Sequence, residues 1–142
     1  MLAISLAALA HHLVAQLATS PWWVPNFTLV GLVLAVLRRP ARWLGYSVVA
    51  GLWDLVWLVR SAPAFLVTMV AIAWLVHRVA ERWDVQDPRV PWVTVAVASA
   101  VQIATQLWWG ELWSWSIIGY ASVHVAMTTV MAIPAQNLIQ RL

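Results

Sequence analysis

Apolar residues run along this chain in long uninterrupted stretches, and polar residues collect at the breaks between them. "TSP" at 19–21 closes the first stretch, "RRPAR" at 38–42 the second, "RSAP" at 60–63 the third and "RVAERWDVQDPRVP" at 78–91 the fourth. The fifth stretch meets "GELWS" at 110–114, and the sixth runs into a closing "QRL". Proline, glycine or arginine marks nearly every junction, as helix starters and breakers do. The pattern predicts six helices, over 2–19, 22–37, 43–59, 63–80, 91–109 and 115–138. A membrane span needs about 20 mostly apolar residues, so the expected fold is an all-α integral membrane bundle of six transmembrane helices, one polytopic domain over 1–142. The second and third spans are short. They require a thinner bilayer or packing that hides their ends. The first stretch has the apolar core of a signal peptide but no basic segment before it, and is read as the first span.

Composition strengthens the membrane reading. With 63% hydrophobic and 9% charged residues among 142, the chain would expose far more apolar surface in water than a globular domain does. Its basic residues are eight arginines. Six alternating spans put Arg38, Arg39, Arg42, Arg78, Arg82, Arg89 and Arg141 on one side and leave Arg60 opposite. Basic flanks stay cytoplasmic, so both termini are expected inside. Trp22, Trp23, Trp108, Trp109, Trp113 and Trp115 fall near the outer boundary and Trp43, Trp83 and Trp92 near the inner one, where amphipathic rings favour the headgroup region. A net charge of +3 spread over loops, with no basic face, does not suit nucleic-acid binding. The absence of cysteine excludes disulfides and thiol chemistry.

Polar groups inside apolar spans are costly unless paired or sheltered, so they are the best pointers to function: His11, His12, Gln16, Asn26, Asp54, Gln102, Gln106, His124, Thr128 and Thr129. Asp54 would cost about 2.5–3.5 kcal/mol at the bilayer centre. Ser47, Ala50, Gly51 and Asp54 share one helical stripe, a small-residue face that admits a second backbone. That stripe either locks the bundle or meets a partner or ligand. Pro25 and Asn26 open the second span near its outer end, where Asn26 either bonds Asp54 or caps its own helix. His12 with Gln16 and His124 with Thr128 are pairs one turn apart. Gln102 and Gln106 lie on one face of the fifth span and suit helix gluing. His77 and Glu81 form a pair one turn apart in the inner flank. No nucleophile with a base, paired carboxylates or phosphate-binding loop is present, so neither an enzyme nor a cofactor or metal is expected.

The stretch from Trp23 to about Val76 resembles the MreD family, the rod shape-determining membrane proteins of bacteria. The resemblance rests on Pro25-Asn26, the turn "RRPAR", "VVAGLWD" with Gly51 and Asp54, and the ending "VMAIPAQNLIQRL". Asn26 stands where that family commonly has aspartate. The resemblance implies a multi-pass, non-enzymatic scaffold of the bacterial cytoplasmic membrane that binds MreC. It also implies work with RodA, a class B penicillin-binding transpeptidase and the MreB filament in peptidoglycan synthesis and cell shape. It further implies a fold similar to the substrate-binding subunits of energy-coupling-factor transporters, with Pro25, Asn26, Ser47, Gly51 and Asp54 in structural or partner contacts.

Two other functions compete. Ala3 and Ala7 form a small-xxx-small pair on the first helix, of the kind such a vitamin-binding subunit uses to dock on its coupling protein. A ligand pocket would need more converging polar groups than the chain offers. A proton- or ion-coupled carrier would rest on Asp54 and the histidines, without the internal repeat common in carriers.

Overall fold

The computed structural model describes residues 1–18, 24–57, 62–110 and 114–141, less the side chains of 54, 56–57, 62–65, 109–110 and 138–141. The described chain is all helical: α1 Leu2–Leu17, α2 Phe27–Arg38, a short 3-10 turn Pro40–Arg42, α3 Trp43–Trp57, α4 Ala62–Arg82, α5 Arg89–Gly110 and α6 Trp115–Arg141. These elements follow the expected six, with boundary differences that have local causes. α4 continues to Arg82 because Glu81 bonds both Arg78, at 3.0 Å, and His77, at 3.4 Å, across one turn. α5 begins at Arg89 because the Asp87 carboxylate accepts the Arg89 N–H at 2.9 Å. Pro91 then falls in the first turn, where a missing N–H costs nothing.

The second helix departs most from expectation. It starts at Phe27, not 22, and has 12 residues, which at 1.5 Å per residue makes about 18 Å. A hydrocarbon core is about 30 Å thick, so α2 alone does not cross one. It is apolar on every side, and nine of its residues are buried, as expected of a helix with no solvated face. α2 packs against each of the other five helices. Leu29, Leu32, Val33 and Val36 are fully enclosed and form one core with Ile4, Ala50, Met69, Ile72 and Val95. A smaller cluster of Ile103, Leu107 and Ala121 joins α5 to α6.

Glycine sets the closest approaches. A Cβ on Gly31 would lie 3.0 Å from the Ala7 Cβ, and one on Gly51 would lie 2.5 Å from a Leu66 methyl and 3.5 Å from the Leu66 Cα. Thus Gly31 seats α1 on α2, and Gly51 seats α4 on α3. The Ala7 methyl cannot rotate away, whereas the Leu66 side chain can. Gly119 on α6 faces open space, with nothing within 4 Å.

The basic turns gather at one end. The Trp43 ring stacks on His77 at 5.9 Å and 15°, which places the arginines of 38–42 beside the end of α4. Met1 reaches Gly45, and the Trp92 indole N–H donates to Gln136 at 3.3 Å, so the start of α1 and the end of α6 lie at that end too. α5 over Arg89–Trp108 and α6 over Trp115–Asn137 are long and apolar enough to cross a membrane; Leu2–Leu17 and α2 are shorter apolar helices.

These approaches order the glycine substitutions. Gly31→Leu should lower the detergent-solubilised protein's unfolding temperature most, with overpacking of about 1–3 kcal/mol. Gly51→Ala should cost less, because Leu66 can turn. Gly119→Ala should be neutral or raise stability by up to about 1 kcal/mol through helix propensity. Thermal unfolding followed by tryptophan fluorescence reads all three, and the reverse order would contradict the packing.

Candidate functional site: a polar junction at the head of the central helix

Asn26 precedes α2 and is buried. Its side-chain Oδ1 accepts the Leu29 N–H at 2.9 Å, capping the helix. That backbone donor settles which end of the amide is oxygen, so the other end, Nδ2, donates to Gln102 Oε1 of α5 at 2.9 Å. The Asn26 backbone N–H donates to Thr128 Oγ1 of α6 at 3.0 Å. His11 of α1 donates from Nδ1 to the Pro25 carbonyl at 3.0 Å, and its ring meets Phe27 edge to face at 6.4 Å. Residues 25–26 therefore tie the head of α2 to α1, α5 and α6.

The junction lies deeper than the sequence pattern suggests. Thr128 is thirteen residues from either end of α6, and Gln102 is thirteen from the start of α5 and eight from its end. Asn26 thus sits at the middle of the two longest helices instead of near an outer boundary. The reason is local. Pro25 and the side-chain cap end the helix where water cannot replace its missing partners, and the cap supplies one of them. A helix N-terminus carries about half a positive charge, here met by a neutral amide oxygen.

Other buried polar groups surround this point. Gln102, 2% exposed, follows Ser99 by one turn on α5, and His124 precedes Thr128 by one turn on α6. The hydroxyls of Thr28 and Ser99 are enclosed without a hydrogen-bond partner among the described residues. Thr129 returns its hydroxyl to the Val125 carbonyl at 2.8 Å. Gln16 is exposed and Gln106 half-buried. Among the described residues no three of His, Asp or Glu come together. The junction's chemistry is that of neutral hydrogen-bonding groups held in fixed orientation.

The α3 stripe is a separate feature. Ser47, Ala50 and Gly51 are all buried. Ser47 donates its hydroxyl to the Leu44 carbonyl at 2.8 Å, and Gly51 faces Leu66 of α4. The side chain of Asp54, one turn further along α3, lies outside the described residues, as does any bond from it to Asn26. No hydrogen bond among the described side chains joins the stripe to the junction. Trp53 of α3 donates its indole N–H to Ser5 of α1 at 3.0 Å. Ala7, half of the small pair on α1, lies against Gly31 of the same chain.

Comparison of the chain with known family models, curated proteins and solved structures finds no match.

The junction makes a quantitative prediction. Asn26→Ala removes a cap worth about 1 kcal/mol and strands Gln102, a further cost of about 1–3 kcal/mol. Gln102→Leu, which removes one bond and leaves the cap, should cost less. A double-mutant cycle on the two should give a coupling near the average of about 0.6 kcal/mol seen for hydrogen bonds between membrane helices. Additive effects in unfolding measurements would contradict the bond.

Proposed function

We propose that this chain is a six-pass protein of the bacterial cytoplasmic membrane, working as a non-enzymatic scaffold of the MreD type. On this reading it holds MreC and helps control peptidoglycan synthesis and cell shape, together with RodA, a class B penicillin-binding transpeptidase and MreB. The observation that carries the reading is the internal use of Asn26, Gln102 and Thr128 at the bundle's centre. In transporters, a broken helix with its N-terminus at mid-membrane commonly turns that positive end toward an anionic substrate group. Here the same end is closed by the chain's own Asn26 oxygen, with Gln102 and Thr128 engaged behind it. Such an arrangement holds helices in place and suits a static platform. The gathering of the basic turns, Met1 and Gln136 at one end supports the expected orientation, with that end cytoplasmic. Against the vitamin-transporter reading, Ala7 of its small pair lies against Gly31 of the same chain.

Because the chain has no cysteine, single substitutions map its topology directly. An impermeant maleimide should label Ser114→Cys in intact cells, and Arg39→Cys and Asp87→Cys only after permeabilisation. Labelling of Asp87→Cys and Ser114→Cys from the same side would refute a crossing by α5. For function, the chain should co-purify with tagged MreC and restore rods in cells depleted of MreD. Failure of both, or a small molecule other than a phospholipid retained in native mass spectrometry, would count against the scaffold.

A further inference from the structure

A narrow furrow of about 220 Å³ runs between α4 and α5, from Ile72 to Trp83 on one wall and from Val90 to Val101 on the other. The eleven helical steps from Val90 to Val101 make it about 16 Å long. Thr94 is the one polar residue lining it, and its hydroxyl is already given to the Val90 carbonyl at 2.6 Å. The furrow therefore asks nothing polar of an occupant along its length.

Its basic end is different. On α4, Leu75 and Val79 line the furrow, and the next residue on that stripe is Arg82. On α5, Val97 and Val93 line it, and the stripe runs back to Arg89. Each apolar wall thus ends in an arginine, and both arginines are exposed. Trp83, 59% exposed, stands at the mouth. Among the described residues none of the nearby acids pairs with either arginine. Glu81 takes Arg78 and His77, and Asp84 and Asp87 accept the backbone N–H groups of Gln86 and Arg89 at 2.9 Å. Among the described residues neither the Arg82 nor the Arg89 guanidinium has a hydrogen-bond or ion-pair partner.

We infer that this furrow holds one acyl chain of an anionic phospholipid of the inner leaflet, whose phosphate is bound between Arg82 and Arg89. A planar guanidinium suits phosphate recognition, a tryptophan at the mouth suits the headgroup boundary, and an aliphatic chain suits walls without free donors or acceptors. The inference rests on the membrane reading above.

The test uses the full chain in detergent, titrated with phosphatidylglycerol or with phosphatidylcholine of the same acyl chains and read by native mass spectrometry. Phosphatidylglycerol should be retained preferentially, with each arginine contributing about fivefold. Arg82→Ala with Arg89→Ala should abolish the preference, and Arg39→Ala with Arg42→Ala, at the same end, should leave it. Val97→Trp, at an exposed position, should fill the furrow and reduce retention of both lipids. Equal loss in the two arginine pairs, no headgroup preference, or a photocrosslinker at position 97 that captures protein instead of lipid would overturn the site. If the chain fractionates as soluble without detergent, the membrane reading fails and the site with it; a membrane-inserted chain without anionic preference fails the site alone.

Discussion

The bond from the Asn26 side chain to the Leu29 N–H is the contact on which the rest of the bundle depends. A helix that begins inside a protein, away from water, leaves backbone donors that nothing else can satisfy. α2 begins in that way, and its short length follows from it: Pro25 and Asn26 stop the helix at the level where α5 and α6 are half complete. The cap also orients the amide so that its nitrogen faces Gln102. One residue thereby fixes the start of the central helix and the positions of two others around it. Since α2 touches all five other helices, displacement of its head would be felt throughout.

Small residues and apolar surface do the remaining work. Gly31 and Gly51 allow α1 and α4 to approach their neighbours closely, and the enclosed core of α2 fills the centre. Asn26 bonds Gln102 and Thr128 at the centre, and the larger open features are on the outside. α6 exposes Ile118, Tyr120, Val123, Val130 and Ile133, a face suited to lipid or to a neighbouring helix, and the α4–α5 furrow carries its two arginines at one end. On the proposed scaffold reading, those outer faces are the ones that would meet partners and lipid.

Much of the fold was legible because apolar runs and their Pro, Gly and Arg punctuation are local signals. Six helices, the paired flank His77–Glu81 and the burial of Ser47, Ala50 and Gly51 follow from them directly. Capping by Asn26 was one of two legible options, because Asn before an apolar run is a helix-start signal. What could not be read was depth. The apolar residues 22–24 continue the hydrophobic pattern and so obscure the start at Phe27 that an Asn26 cap implies. The partners of Asn26 were equally hidden, lying 76 and 102 residues away. Gln102 and Thr128 were visible as candidates, but their meeting depends on how far along α5 and α6 the head of α2 reaches. The indole bond from Trp53 to Ser5 was masked by the many tryptophans that suit a membrane boundary.

The most direct test of the central claim is hydrogen–deuterium exchange over the first turn of α2 in the intact, solubilised protein. An ordinary helix end frays, and its first amides exchange quickly. A head capped and enclosed at mid-bundle should protect Leu29 and Val30 as strongly as the middle of the same helix around Val33. Rapid exchange at Leu29 beside a protected Val33 would mean that the Asn26 cap does not hold and that the bundle is organised around something else.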